Sequence, residues 1–268
     1  MDHCHCTVCR KAHGASFATY VGAMGFRWVE GDGEQGSYAS SADLCRAFCP
    51  TCGSKIPGAG AGLSEGQDRA LTFLPAGLLD GDPGVRAESH IYAAFRAPWV
   101  ELHDGLRVFE GAPPGYPDPG MATPARPEGA SPGSIAGSCL CGAVAWEQTQ
   151  VHERMGHCHC SRCRKVRGAA FSTQLFGDAE HFRWICGREL VEQFRLPGAA
   201  FYGNSFCRSC ASPVAAEAPA PQLMMIPAGA LDDDPGVRPS AHIYVGSKAP
   251  WVEITDDLFT FDEMPPAM

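Results

Sequence analysis

The apolar residues of this chain occur in short runs that glycine and proline interrupt, and no long segment repeats them with the period of a helix. Runs rich in β-branched and aromatic side chains predict strands. In the C-terminal half these runs are 142–146, 171–176, 182–185, 190–194, 223–226, 241–245 and 258–261. Residues 161–166 predict one short helical turn. The pattern therefore indicates a mainly β protein with short, irregular strands.

The same series of motifs occurs twice along the chain. CHCTVCRK at 4–11 returns as CHCSRCRK at 158–165, and FCPTC at 48–52 returns as FCRSC at 206–210. HIY at 90–92 and APWVE at 97–101 return at 242–244 and 249–253. Two copies at this spacing indicate a tandem duplication of one domain.

A segment rich in proline and glycine separates the two copies. Residues 112–133 contain seven prolines and four glycines, which disfavour a regular helix or a central strand and predict a semi-rigid linker. We therefore predict a first domain at 1–111 (copy one), a linker at 112–133 and a second domain at 134–268 (copy two).

The copies differ at their beginnings. Copy two opens with GSCLCGAV at 137–144, well before its cysteine triplet, whereas Met1 aligns with Met155. The sequence therefore begins where the first strand or two of copy one should already have passed. Either the duplication lost its leading segment, or this start lies downstream of the true one.

Composition and charge exclude several classes of protein. Hydrophobic residues make up 45% of the 268 residues and charged residues 19%, which is enough to bury a core. No apolar run approaches the roughly 18–20 residues that cross a bilayer, and no secretion signal is evident. We therefore expect a cytoplasmic protein with no membrane partner. The net charge of −9, with −4 in each copy, disfavours binding to nucleic acid.

Fourteen cysteines are the most informative residues. In a reducing compartment, clustered cysteines bind metal or perform chemistry more often than they form disulfides. In copy two, the pairs Cys139-x-Cys141 and Cys207-x-x-Cys210 present four sulfurs on two short turns. Four thiolates form a closed tetrahedral site, the usual arrangement of structural zinc. The alternative is four buried free thiols.

A cysteine triplet follows in each copy. Copy two contains Cys158, Cys160 and Cys163, and copy one repeats them as Cys4, Cys6 and Cys9. Three ligands leave one tetrahedral position open, as in catalytic zinc sites, where a thiol would be deprotonated and held as a nucleophile. The alternative is a closed site in which His157 or His159 supplies the fourth ligand.

Copy one has only half of the four-cysteine set. It keeps Cys49 and Cys52 but has no counterpart of Cys139 and Cys141. Basic residues follow both triplets, namely Arg10, Lys11, Arg162, Arg164, Lys165 and Arg167. They would offset the negative charge of the thiolates and attract an anionic substrate, the alternative being a solvated charged loop.

Together these motifs resemble the glutathione-dependent formaldehyde-activating enzyme family, which also contains centromere protein V. The resemblance rests on GSCLCG at 137–142, CHCxxCRK at 158–165, FCxxC at 206–210, HIY at 242–244 and APW at 249–251, and in copy one it extends from the triplet onward. It implies two Mss4-like irregular β domains pinned by zinc. It also implies a carbon–sulfur lyase that joins formaldehyde and glutathione to give S-hydroxymethylglutathione.

The family's site residues are carried over by position. The resemblance implies structural zinc at Cys139, Cys141, Cys207 and Cys210, catalytic zinc at Cys158, Cys160 and Cys163 and at Cys4, Cys6 and Cys9, and an incomplete structural site at Cys49 and Cys52. Copy two departs from the family at Ala211, where glycine is usual and copy one has Gly53. If this position needs a positive φ, alanine would cost about 1 kcal/mol.

Three functions are compatible with these residues. The first is a zinc-dependent enzyme acting on a thiol–aldehyde adduct, with a small thiol such as glutathione as partner. The second is a non-catalytic, zinc-stabilised binding or scaffold protein. The third, by resemblance to centromere protein V, is a nucleic-acid-associated protein, which the negative charge of both copies disfavours. We favour the first function and expect no nucleic-acid partner.

Overall fold

The computed structural model describes residues 1–42, 44–58, 71–116 and 125–265, so that 117–124 of the predicted linker lie outside the described residues. These ranges contain two short α-helices and eighteen strands, which confirms the mainly β class. The elements of copy one are β1 (Asp2–Cys4), α1 (Thr7–His13), β2 (Ala18–Ala23), β3 (Gly36–Ala39), β4 (Cys45–Phe48), β5 (Thr72–Pro75), β6 (Ser89–Ile91) and β7 (Arg107–Val108).

The elements of copy two are β8 (Ile135–Ser138), β9 (Ala145–Gln148), β10 (Met155–Cys158), α2 (Ser161–Arg167), β11 (Ser172–Asp178), β12 (Phe182–Cys186), β13 (Val191–Arg195), β14 (Gly203–Cys207), β15 (Ala216–Glu217), β16 (Leu223–Pro227), β17 (Ala241–Ile243) and β18 (Phe259–Phe261). All seven predicted strands of copy two are present with shifted ends, and the predicted helical turn is α2. Within the described ranges, no helix is long and apolar enough to span a bilayer.

Each copy is built around one mixed sheet. The strand order is β5-β2-β1-β6-β7 in copy one and β15-β16-β11-β10-β17-β18 in copy two. The central strands β1 and β10 pair with one antiparallel and one parallel neighbour each, in the same register. Both triplets therefore begin at the C-terminal end of the central strand, in equivalent places.

Each copy also contains a two-stranded sheet, β3-β4 or β13-β14, but a three-stranded sheet is found among the described residues of copy two only. It has the order β12-β9-β8, and Trp184 of β12 lies opposite Trp146 of β9. In copy one the residues equivalent to β12 form no strand, and Phe26 and Trp28 contact each other with ring centroids 5.2 Å apart. Phe26 remains 37% exposed.

The two copies pack together through equivalent elements. Helix α1 packs against the 3₁₀ helix Ala228–Ala230, and α2 packs against the 3₁₀ helix Ala76–Leu78. A Cβ atom on Gly229 would lie 2.4 Å from the Ala15 nitrogen, and one on Gly77 would lie 2.3 Å from the Ala169 nitrogen. Only glycine allows these close approaches. The Pro-Ala-Gly sequence of each copy, at 75–77 and 227–229, therefore forms part of the contact with the other copy.

The two APW tryptophans lie in this shared core. Trp99 and Trp251 are 4% and 3% exposed. Trp99 belongs to the same buried cluster as Leu175 and Ile226 of copy two, and Trp251 to the same cluster as Ala76 of copy one. The two copies therefore bury apolar surface jointly, and we expect neither to keep its full stability alone.

The turn after the last cysteine of each copy requires a positive φ. Gly53 has φ +72° and Ala211 has φ +51°. Gly53→Ala is expected to cost about 1–3 kcal/mol of unfolding free energy, because its Cβ would lie 2.6 Å from Phe206 Cγ. Ala211→Gly is expected to change it by less than about 1 kcal/mol, because relief of strain is offset by a lost buried methyl group and a freer unfolded chain. Urea unfolding measures both, and equal costs would contradict this reading.

Glu147 attaches the end of the predicted linker to β9. Its carboxylate accepts hydrogen bonds from the Ser131 nitrogen (2.6 Å), the Ser134 hydroxyl (2.9 Å) and Arg183 Nε (2.8 Å). Burial opposes ionisation, but these donors outweigh it and lower the pKa of Glu147 to about 2. The carboxylate therefore stabilises the fold above its unfolded pKa of 4.5, and this contribution is lost as the pH falls towards 2.

Glu147→Gln is accordingly expected to lower the unfolding free energy by about 2 kcal/mol at pH 7 and by less at pH 3. Urea titrations at both values test this, with the exposed Glu153→Gln as control. A cost that is independent of pH would show that the charge of Glu147 is not what stabilises the contact.

Candidate metal centres and active site

The local fold explains how each cysteine triplet comes together. The first cysteine ends the central strand, the second is the residue preceding the helix, and the third lies in its first turn. The Cys6 sulfur accepts the Cys9 N–H at 3.3 Å, and the Cys160 sulfur accepts the Cys163 N–H at 3.4 Å. With two residues between the second and third cysteines, the sulfur of the second cysteine can therefore cap the helix while it faces the third cysteine.

The sulfurs of each triplet lie within 4.8 Å of one another. Cys4, Cys6 and Cys9 are buried, whereas Cys158, Cys160 and Cys163 are partly exposed. Hydrogen bonding with Cys160 and Cys163, together with burial, raises the pKa of Cys158 far above its usual value. Because ionisation of all three cysteines together is disfavoured in this way, three adjacent thiolates need a nearby cation.

The interleaved histidines do not join either sulfur group. His157 Nδ1 lies 2.9 Å from the Thr173 hydroxyl, and His159 Nε2 lies 2.7 Å from His242 Nδ1. Neither histidine belongs to a potential metal-ligand group among the described residues. The arrangement therefore gives no support to a site closed by His157 or His159.

The four-cysteine group of copy two is assembled from two turns. Cys139 and Cys141 follow β8, and Cys207 and Cys210 lie at the end of β14 and in the turn after it. The Cys139 and Cys141 sulfurs are 3.4 Å apart, and those of Cys141 and Cys207 are 3.8 Å apart. The Val144 N–H donates to the Cys139 sulfur at 3.3 Å, so backbone as well as side chains faces the group.

These separations fit a metal ion bound by thiolates. Zinc at about 2.3 Å from each of four sulfurs places the sulfurs about 3.8 Å apart at the corners of a tetrahedron. The donor set is soft and favours zinc over calcium or magnesium. All three groups could therefore hold a metal ion, and the four-sulfur group is the complete one.

The remaining cysteines do not form a fourth group in the described part of the chain. Cys52 donates to the Ser54 hydroxyl at 3.1 Å, and neither Cys49 nor Cys52 shares a group with a third potential ligand. Cys45 and Cys186 are exposed free thiols. The expected half-built site of copy one thus stays a pair.

Most of the basic residues after the triplets face the other copy and not the sulfurs. Arg10 donates to the Leu231 carbonyl at 3.2 Å, Arg164 to the Gly77 carbonyl at 3.3 Å, and Lys11 Nζ lies 2.6 Å from Asp232. The structure therefore does not support a role for these three residues in attracting substrate. It also contradicts the alternative prediction that they lie in a solvated charged loop. They are buried contacts between the copies.

An arginine from a distant part of the sequence lies beside the sulfurs of the copy-one triplet. Arg46 of β4 places Nη2 3.6 Å from the Cys9 sulfur and Nη1 3.3 Å from the Tyr20 hydroxyl. His13 Nε2 lies 2.8 Å from the same hydroxyl. Burial opposes the charge of Arg46, but the Cys9 sulfur, Tyr20 and the Cys6 sulfur together outweigh burial and raise the pKa of this guanidinium.

The copy-one triplet borders a cavity of about 1020 Å³. Its lining combines Cys4, Cys9, Tyr20 and Arg46 with an apolar wall that includes Phe73, Ile91 and Phe109. Lys55 also lines it and donates to the Ala211 carbonyl at 2.6 Å; burial lowers the pKa of Lys55 to about 7. The cavity offers a sulfur group, a fixed positive charge and an apolar surface together.

A model of the family described as glutathione-dependent formaldehyde-activating enzyme matches residues 1–94 and 134–247. The chain belongs to this family. Both copies are members, which confirms the duplication inferred from the repeated motifs. No curated protein matches the chain. Among solved structures, a Rhodobacter sphaeroides protein shows 22% identity over 35% of this chain and 85% of its own, with a TM-score of 0.30.

The two family copies differ around their triplets. His13, Tyr20, Arg46 and Lys55 of copy one align with Arg167, Gln174, Asn204 and Pro213 of copy two. Copy two therefore also has one guanidinium near its triplet, but this group comes from helix α2. Arg167 acts electrostatically on Cys163, and its Nη1 lies 3.5 Å from Asn204 Oδ1. Sequence reasoning missed Arg46 and Tyr20. Comparing the two copies position by position was the signal that would have found them.

Proposed function

We propose that the protein is a zinc-dependent carbon–sulfur lyase acting on thiol–aldehyde adducts, with glutathione and formaldehyde as the reference pair. Family membership supports the activity class. The single observation that carries the proposal is the copy-one triplet, of which Cys4 and Cys9 line a large cavity together with Arg46. All fourteen cysteines are free, as a reducing compartment requires, which supports a cytoplasmic location.

The chemistry follows from the donor set. In the forward direction the substrate sulfur attacks the carbonyl carbon, a carbon–sulfur bond forms, and the thiol proton ends on the former carbonyl oxygen. Zinc, when bound by the triplet cysteines, would lower the pKa of the substrate thiol and hold it as thiolate.

The residues around the copy-one triplet support this step. Arg46 offsets the negative charge of the three thiolates and would attract a thiol that carries carboxylates, as glutathione does. The Tyr20 hydroxyl is held between His13 and Arg46; Tyr20 lines the same cavity and can exchange a proton with the developing oxygen anion.

In copy two Gln174 replaces Tyr20, and Tyr202, which acts electrostatically on Cys163, donates its hydroxyl to the Arg162 carbonyl instead. Because Cys4 and Cys9 line the large cavity, we propose that copy one is the more active half.

Single substitutions separate the two halves. Cys9→Ser is expected to reduce the zinc-dependent rate at least tenfold, while Cys163→Ser reduces it less, because Cys9 lines the large cavity together with Tyr20 and Arg46. The rate of S-hydroxymethylglutathione formation and breakdown is measured with the uncatalysed reaction subtracted, and Cys186→Ser, an exposed thiol outside that cavity, serves as control. Zinc-loaded protein that does not change either rate would refute the enzyme and favour the scaffold function.

A further inference from the structure

The two copies enclose a second cavity, of about 400 Å³, on the face of the sheets opposite the triplets. Its walls come from both copies in matching pairs, because residues 3, 17, 90, 99 and 104 line it together with their equivalents 157, 171, 242, 251 and 256. No cysteine lines it. The cavity thus lies about the pseudo-two-fold axis that relates the copies, and neither copy forms it alone.

Carboxylates dominate the charge of this cavity. Asp104, Asp256, Glu101 and Glu253 line it, against only Arg86 and Arg238. Each arginine is already paired at 2.8 Å with an aspartate of its own loop, Asp82 or Asp234. Glu253 and Glu101 also act electrostatically on Arg86 and Arg238, so each guanidinium group is shared by an aspartate of its own copy and a glutamate of the other. The four carboxylates of the lining thus exceed the positive charge that the two arginines offer them.

The two aspartates are each held by a histidine and a backbone N–H. Asp104 accepts from His90 Nε2 at 2.9 Å and from the Leu106 N–H at 3.1 Å. Asp256 accepts from His242 Nε2 at 3.1 Å and from the Leu258 N–H at 3.1 Å. These bonds orient the carboxylates, and among the described residues neither aspartate forms an ion pair with a lysine or an arginine, which favours an organic cation nearby.

Aromatic rings and one unpartnered histidine nitrogen also line the cavity. Phe17 and Phe171 meet edge to face with centroids 5.5 Å apart, and Trp99 and Trp251 complete the apolar surface. His157 is 8% exposed and uses Nδ1 to contact Thr173. Its Nε2 has no hydrogen-bond partner among the described residues, so a ligand N–H can donate to it.

We propose that this cavity binds a small organic cation, an aliphatic primary diamine. Aromatic faces beside carboxylates are the surroundings that organic ammonium groups prefer. The carboxylates occur in symmetry-related pairs on both sides of the axis, so a ligand with an ammonium group at each end fits them better than a monoamine. An anionic thiol is repelled here, which separates this site from the triplets.

Tryptophan fluorescence and calorimetry on the full, zinc-loaded chain test the proposal, because Trp99 and Trp251 line the cavity. The probes are 1,4-diaminobutane and 1,6-diaminohexane, with butylamine, butane-1,4-diol and succinate as a monocation, a neutral isostere and a dianion. A diamine is expected to bind roughly tenfold or more tightly than the other three. Equal binding of the diol or of succinate, or no diamine binding at 10 mM, overturns the proposal.

Two charge variants locate the site. Glu101→Gln with Glu253→Gln, both exposed at the mouth, is expected to weaken diamine binding roughly tenfold or more. Glu30→Gln with Glu34→Gln makes the same change in net charge outside the cavity and should leave binding unchanged. If both double variants weaken binding equally, the diamine senses only overall charge and the cavity site is wrong.

Discussion

Cys207→Ser is expected to remove one zinc ion per chain and to lower the free energy of unfolding by more than about 4 kcal/mol. Cys207 is fully buried, and its sulfur lies 3.8 Å from that of Cys141. The four-sulfur group joins β8 to the end of β14, so loss of the ion releases two separate parts of copy two at once. Native mass spectrometry under reducing conditions measures zinc, and urea unfolding measures stability.

The matched control is Cys186→Ser, because Cys186 is an exposed free thiol. It should leave both quantities unchanged. Wild-type protein should carry about three zinc ions per chain, one in the four-sulfur group and one in each triplet. Wild-type protein with one ion or none would mean that the triplets are not stable metal sites and would leave the proposed lyase without its chemical basis.

Asp232→Asn is expected to lower the free energy of unfolding by about 3–5 kcal/mol, whereas Asp80→Asn, which removes one partner of an exposed pair, should leave the stability almost unchanged. The two aspartates are equivalent in the repeat. Asp232 pairs with Lys11 at 2.6 Å and Asp80 with Lys165 at 2.5 Å, each across the interface between copies. The side chains of the first pair are 1% exposed, while those of the second are 44% and 83% exposed.

Strand β8 explains this asymmetry. Ser138 donates to the Asp232 carboxylate at 2.7 Å and accepts from Lys11 at 2.8 Å, so the leading segment of copy two covers the buried pair. No described residue of copy one takes that place over Asp80. Removing the Asp232 charge leaves Lys11 buried without a counter-ion. Urea unfolding of both variants tests this, and similar costs would show that burial does not set the difference.

The sequence alone determined the elements with strong local signals. The duplication, the β class and seven of the eleven strands of copy two follow from motif repeats and short apolar runs, which depend on neighbouring residues only. Strands β8, β10, β14 and β15 were missed. Met155–Cys158, for example, contains one large apolar residue and becomes strand β10 by pairing with β11 and β17. The domain boundaries 1–111, 112–133 and 134–268 stay a prediction.

The cysteine groups were also predictable, because they too depend mainly on residues that are neighbours in the sequence. Spacings of one and two residues force sulfurs together on a turn or at a helix start, whatever the rest of the fold does. The surroundings of the sulfurs were not predictable, because Arg46 reaches Cys9 from a strand 37 residues away. The basic residues next to the triplets in sequence were misassigned, since helix α1 turns Arg10 and Lys11 towards copy two.

What only the tertiary structure decided is how the copies meet. Local patterns report which residues are apolar, such as Trp99 and Trp251, or which can bind metal. They carry no information on which copy buries them, on the ion pair Lys11–Asp232, or on the histidine- and carboxylate-lined cavity between the copies. These features depend on contacts between residues more than 70 positions apart, and those contacts exist only once both copies are folded and packed together.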